Sequence, residues 1–375
     1  MATVKVLIVD DRPDEVSALV RALKARKLKA DVREPEEVEL HDLQGANLVL
    51  VDLDLKHWNG NLSSAPIAIR PSDGLALAGV FRRHLVNSQD YPPTGFAMLT
   101  GQVEQMAHPF APDNRLHLIA HMNNLDCIFL KKDPDLARKV TSLARAIRSV
   151  PKDWCDGIQS VQEISEALGF NEKILPLERY EEVVQACHPP IYELTQWSHG
   201  LAFIRWLLQK VLVYPCFLWD SHRLAARLRI EVSEVEKILA SKSKLRTQLS
   251  SRQYKGILSD FNGVRWWRAA IELFLWEITD GDSQNNAKLV AALENLAGRP
   301  LQPASVERPY VCIDKDYRPL DDFLPMSEIV RVQPDDWPGY ADSAFMPIEV
   351  VRSDRALSAL VAPEDKPKLE PATNG

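Results

Sequence analysis

Apolar residues in the first 150 positions follow two rhythms. Short continuous runs, VLIV (6–9), LVLV (48–51), FAML (96–99) and CIFL (127–130), alternate with stretches whose apolar residues recur every three or four positions. A continuous apolar run of four to eight residues is what a strand buried on both faces requires. The segments 4–10, 29–34, 46–55, 94–100 and 126–132 therefore read as strands, the second the weakest. The segments 13–27, 74–85, 115–125 and 134–149 read as helices, and in the first Val16, Leu19, Val20 and Leu23 share one face. Strands alternating with helices predict an α/β domain, a five-stranded doubly wound parallel sheet covered on both faces.

Two segments exceed what that pattern needs. Residues 56–72 form a polar, Gly- and Pro-containing insertion after the third strand, and 102–125 separate the fourth strand from the fifth. Loops of this length in compact domains are usually functional or mobile. After Val150 the rhythm changes, and four regions are expected: the sheet domain at 1–150, a mostly α-helical domain at 151–297, an irregular Pro-rich extension at 298–361 with a short strand at PYVCID, and a tail at 362–375 of disordered composition.

Composition narrows the class. A 46% hydrophobic share leaves ample core material, and a net charge of −7 gives no global pull toward nucleic acid. The five cysteines are far apart, without a CxxC pair, which argues against a disulfide framework and for a reducing compartment. The most apolar long stretch, Trp197 to Trp219, contains His199, Arg205, Lys210 and Pro215, so it does not read as a membrane span. No signal peptide reads ahead of Val4; the expectation is a soluble cytoplasmic protein with no membrane partner.

The chemistry gathers where the strands end. The first strand runs into adjacent carboxylates, Asp10 and Asp11; the third ends on Asp52, with Asp54 beyond; the fourth ends on Thr100 and the fifth on Lys131 and Lys132. In an open parallel sheet these ends share one edge, where ligands bind. Clustered carboxylates are hard oxygen ligands suited to Mg²⁺. A carboxylate can attack phosphorus to form an acyl phosphate, with a lysine and a hydroxyl holding the phosphoryl oxygens. Each fragment also has a plain structural reading: a helix cap for Asp10-Asp11 before Pro13, a turn for Asp52 and Thr100, a solvated strand end for the lysines.

In this order, VLIVDD (6–11), LVLVDL (48–53), SDGLALAGVFR (72–82), MLT (98–100) and FLKKD (129–133) resemble the receiver domain of two-component response regulators over residues 1–150. The resemblance implies that Asp10 and Asp11 bind Mg²⁺ with Asp52, and that Asp52 accepts a phosphoryl group from a histidine kinase. A backbone carbonyl at Leu53 or Asp54 would complete the metal site, and Thr100 would be the switch hydroxyl. For the phosphate-contacting lysine the two neighbours compete. Lys131 directly ends the apolar run; Lys132 puts Phe129 three residues upstream, where the family often has an aromatic, and is the preferred assignment. Departures are the insertion after the third strand, Lys56 where the family usually has Pro, and the long segment after Thr100, which would remodel the face through which receivers signal and dimerise. A homodimer is left open.

The rest of the chain matches no family pattern. LAARLRIEVSEVEKIL (224–239) has the outline of a helix-turn-helix, and residues 221–255 hold nine Lys/Arg against three Glu. Arg223, Arg227, Arg229 and Lys237 are the candidate nucleic-acid contacts. Against this, Arg229 stands at the turn position where Gly is usual, and Glu234 and Glu236 open the would-be recognition helix; an ordinary helix pair is the plainer reading. The Trp and Phe residues at helical spacing read as core. No GxSxG, Walker, Rossmann or HExxH pattern marks an enzyme. The expected protein is an atypical response regulator that signals through protein contacts of its helical domain and is not an enzyme beyond its own phosphorylation. The alternatives are a DNA-binding regulator, a phosphate sink, or a degenerate receiver acting as a constitutive binding module.

Overall fold

The computed structural model describes residues 3–58, 71, 73–86, 93–103, 106, 115–150, 161–169, 184–190 and 200–370. Most of the 56–72 insertion, and most of residues 151–200 at the start of the expected helical domain, lie outside them. The chain forms two compact units interleaved along the sequence: Met1–Ala167 with Pro189–Lys210 and Gly256–Asn262, and Leu168–His188 with Val211–Lys255 and Gly263–Gly375.

The first unit is built on β1 (Lys5–Val9), α1 (Ser17–Ala25), β2 (Lys29–Arg33), α2 (Leu40–Gln44), β3 (Leu48–Asp52), α3 (Gly74–Val86), β4 (Gly95–Thr100), α4 (Leu116–Met122), β5 (Cys127–Leu130), α5 (Leu136–Ser149) and α6 (Val161–Ala167). The strands form one parallel sheet in the order β2-β1-β3-β4-β5. This is the five-stranded doubly wound sheet expected from the alternating runs, as in a receiver or flavodoxin fold. Val6, Leu7, Ile8 and Val9 are fully buried, as are Leu48 to Val51. Each such side chain contributes about 1.5–3 kcal/mol relative to exposure. That is why β1 and β3 lie in the interior of the sheet, while β2, with only Ala30 fully buried, lies at its edge.

The short helix α2 is not legible in the apolar pattern because it spans little more than one turn. Its support is local: the Glu39 side chain accepts from the Asp42 backbone, while the Asp42 side chain accepts from the Glu39 N–H. A later segment, α7 (Leu201–Trp206), also belongs to this unit. Its Arg205 donates from Nε to Asp126 Oδ1 at 2.6 Å and from Nη1 to Asn124 Oδ1 at 2.6 Å.

The second unit contains β6 (Leu218–Trp219), α8 (Ser221–Leu228), α9 (Val232–Ala240), α10 (Lys244–Ser251), β7 (Trp266–Trp267), α11 (Arg268–Ile278) and α12 (Asn286–Ala297). Leu224, Leu228, Val235, Ile238, Leu245, Phe274 and Leu289 pack into one core. The stretch 298–361 is not irregular throughout. It holds two antiparallel pairs, β8 (Tyr310–Ile313) with β9 (Pro319–Leu324) and β10 (Ile329–Val332) with β11 (Ala344–Pro347), followed by α13 (Ile348–Ser353) and α14 (Arg355–Ala359). Only β8 was legible, because β9 reads PLDDFL, with a proline and two aspartates in place of an alternating pattern. Residues 363–369, whose composition suggested a tail, form a 3-10 helix tied back by Asp365, which accepts the Arg331 N–H at 2.7 Å. Among the described residues no helix is long and apolar enough to cross a membrane.

Candidate metal centre at the strand ends

The sheet register fixes the site. Val9 pairs with Val51, Asp52 with Leu99, and Thr100 with Leu130, so Asp10, Asp52, Thr100 and Lys131 come to neighbouring strand ends. Asp10, Asp52 and Thr100 are no more than 2% exposed. One oxygen from each of Asp10, Asp11 and Asp52 lies within 4.8 Å of the others. Three carboxylates this close repel unless a cation joins them.

Lys131 supplies part of that charge. Its Nζ donates to Asp52 Oδ2 at 2.9 Å and to Asp10 Oδ2 at 3.5 Å, with Glu15 at 3.9 Å. Burial pulls the ammonium down, but Asp52 and Asp10 outweigh it and hold its pKa above the ordinary lysine value. For Asp52 burial is the largest influence and pushes the carboxyl up. The neighbouring Asp10 charge adds to this, while Lys131 and the Asp54 N–H oppose it, and the pKa is raised to about 6.

Asp11 is held differently. Its Oδ2 accepts the His57 N–H at 2.5 Å, but its buried Oδ1 has no hydrogen-bond partner among the described residues. Arg12 Nε, 3.9 Å away, is similarly buried and unbonded, while Arg12 Nη1 pairs with Glu15 at 2.5 Å. A buried carboxylate oxygen without a donor costs about 1–3 kcal/mol. A hard divalent cation among Asp10, Asp11 and Asp52 would satisfy it, and the all-oxygen donor set suits Mg²⁺. The residues present fit such an ion.

The structure puts Lys131, not Lys132, in the cluster. The backbone N–H of Lys131 bonds the Thr100 carbonyl at 2.9 Å, continuing the β4–β5 ladder by one residue, so its side chain joins the edge while Lys132 is exposed. Three residues before Lys131 stands Ile128, which is paired with Met98 across the β4–β5 ladder and belongs to the same core cluster. Phe129 instead has its ring 6.3 Å from Phe261 of the same unit. Thr100 Oγ1 accepts the Gln102 N–H at 2.9 Å, the Leu53 carbonyl accepts from Gly74, and Asp54 pairs with Lys56 at 2.8 Å.

Sequence reasoning missed the side chains at the rim, Arg12 and Glu15, although their spacing of three on a helical turn was a signal. The need for Gly74 was also hidden. A β-carbon there would stand 1.8 Å from the Asp52 carbonyl oxygen, so the start of α3 can approach β3 only as glycine.

The candidate nucleic-acid residues are engaged within the second unit. Arg223 pairs with Asp220, Arg227 makes two 2.8 Å bonds to Glu272, Arg229 donates to the Gln284 carbonyl at 2.9 Å, and Lys237 pairs with Glu234 at 2.6 Å. Asp220 and Glu272 lie outside 221–255, so a local count overstated the free positive charge. Arg229 does take the left-handed turn conformation (φ 58°) that favours glycine.

The fold and this edge define a doubly wound α/β domain with an acidic, cation-ready strand-end site. No protein-family model and no curated protein matches the chain. Among solved structures it is similar to a CheY-like receiver domain from Methanospirillum hungatei (16% identity, 38% of this chain, 95% of that chain, TM-score 0.26). It is also similar to the receiver domain of a putative response regulator, NarL, from Mycobacterium tuberculosis (16%, 39% and 98%, TM-score 0.26). A third is the receiver domain of Saccharomyces cerevisiae Ssk1, solved with the histidine phosphotransfer protein Ypd1 (19%, 38% and 90%, TM-score 0.26).

Proposed function

We propose that the chain is an atypical response regulator whose Asp52 accepts a phosphoryl group from a phosphohistidine on a kinase or phosphotransfer protein, with Mg²⁺ held by Asp10, Asp11 and Asp52. The observation that carries this reading is the three-carboxylate cluster with Lys131 on Asp52 and an unbonded oxygen on Asp11. An Asp52 oxygen attacks phosphorus, the P–N bond breaks, and the imidazole leaves with a proton, giving an acyl phosphate. The bound cation supplies positive charge to the phosphoryl oxygens. Lys131 then exchanges its Asp52 oxygen for a phosphoryl oxygen, and Thr100 Oγ1 donates to another. The output is a change in protein contacts, driven by a local charge event acting on a two-state element. The chain is no enzyme beyond this self-modification.

Intact mass after incubation with Mg²⁺ and an acyl-phosphate donor tests the proposal. A phosphoryl adduct on wild type, lost in Asp52→Ala and without Mg²⁺, is the expected result. No adduct with the donor or with a phosphorylated histidine protein would leave a constitutive binding module.

A further inference from the structure

Two buried groups of opposite charge face each other beside the acidic cluster and do not pair. Asp11 Oδ1 and Arg12 Nε are 3.9 Å apart, and neither makes a hydrogen bond among the described residues. A guanidinium–carboxylate bond closes at about 2.7–2.9 Å. The Asp11 side chain is 1% exposed, so bulk water does not reach the oxygen. Left to themselves, two such groups close the gap, because an orphaned buried charge is costly.

The backbone of Arg12 is pinned. Its N–H donates to Asp10 Oδ1 at 2.8 Å, and Pro13 opens the 3-10 turn Pro13–Val16 directly behind it. Only the side chain can choose between carboxylates, and its Nη1 bonds Glu15 Oε1 at 2.5 Å. The other Glu15 oxygen stands 3.9 Å from Lys131 Nζ, the ammonium that holds Asp52 and Asp10. Glu15 therefore faces both Arg12 and Lys131. The Arg12–Glu15 pair is partly exposed and weak by itself, but it has only to tip one guanidinium between two carboxylates.

We propose that Glu15 is a positioning residue for the cation site: by drawing Arg12 away it keeps Asp11 Oδ1 open to a divalent ion. The inference rests on the reading of Asp10, Asp11 and Asp52 as that ion's ligands. Without the Glu15 carboxylate, the Arg12 guanidinium turns onto Asp11 and becomes a built-in cation that competes with Mg²⁺ for the same oxygen. With all groups ionised, the four carboxylates of Asp10, Asp11, Asp52 and Glu15 against Arg12 and Lys131 leave two formal negative charges, which one divalent cation balances.

Glu15→Gln has a second effect, because it also removes a negative charge that attracts any cation. A double-mutant cycle separates the two. The general attraction, and any change at Lys131, persists when Arg12 is already gone. The part of the Glu15 effect that passes through Arg12 disappears with it.

The test is the Mg²⁺ dissociation constant of the full chain by calorimetry, for wild type, Glu15→Gln, Arg12→Gln and the double variant. Urea midpoints without metal check that all four fold. Glu15→Gln should weaken Mg²⁺ binding about tenfold, and by less than about threefold in the Arg12→Gln background. Arg12→Gln alone should strengthen binding. Equal weakening by Glu15→Gln in both backgrounds, or none in either, overturns the proposal and leaves the metal site standing. So does an Arg12→Gln protein that binds no more tightly than wild type. A wild type that binds no Mg²⁺ removes the metal reading, and the proposal falls with it.

Discussion

Asp52, which is buried, and Asp220, which is half-buried, both stand among charged neighbours, and they are treated in opposite ways. Asp52 shares one lysine with Asp10 and stands beside Asp11, so among the described residues this strand-end cluster has three carboxylates to one lysine. Asp220 is over-provided. It caps α8 by accepting the Arg223 N–H at 2.8 Å, pairs with the Arg223 guanidinium, and has Arg265 at 3.4 Å. Burial pushes Asp220 up as it does Asp52, but Arg223 and Arg265 outweigh it and hold the carboxyl below the usual range. A satisfied buried charge fixes a fold. One left short of cations is a place where a cation or phosphoryl group has something to gain.

The largest expected effect breaks the satisfied side. Asp220→Ala removes the cap and leaves Arg223 and Arg265 without their carboxylate, at a cost of about 3–5 kcal/mol in urea unfolding. A loss under 1 kcal/mol would mean the two arginines find other partners.

The opposite sign is expected at Asp52. Its folded pKa of about 6 against 3.8 means the folded chain holds the proton more tightly than the unfolded chain. Ionisation therefore costs stability, fully above pH 6 and not at all well below 3.8. A shift of this size corresponds to about 3 kcal/mol. Metal-free wild type should gain stability from this group as pH falls from 7 to 4. Asp52→Asn should be more stable at pH 7.5 by up to about 3 kcal/mol and should lose that part of the pH slope. An equal slope in both proteins would contradict the repulsion argument.

Mg²⁺ should relieve the same shortage. At one hundred times its Kd, a cation that binds only the folded chain adds about 2.7 kcal/mol, read as a shift in the unfolding midpoint. Asp11→Asn should abolish the shift while Asp220 and its arginines are untouched. A shift that survives Asp11→Asn would put the ion elsewhere.

The smallest effect separates the two lysines. Lys131→Met, at a partly exposed side chain, should cost about 2 kcal/mol and strengthen Mg²⁺ binding by removing a competing cation. Lys132→Met should stay within about 0.5 kcal/mol of wild type in stability. Equal effects from both would undo the assignment of Lys131.

By itself the sequence determined the sheet and its edge. Continuous runs such as Val6–Val9 and Leu48–Val51 can only be buried on both faces, and a parallel sheet then puts Asp10, Asp52, Thr100 and the lysine pair at one end. Only the tertiary structure decided the rest. Which lysine reaches Asp52 depends on the ladder bond from Lys131 to Thr100, a choice of one residue that composition does not encode. The charge of 221–255 depends on Asp220 and Glu272 from outside that window, and the antiparallel pairs of 310–347 on partners that make a strand of PLDDFL. Local patterns fix what a residue prefers; folding decides which distant partner satisfies it.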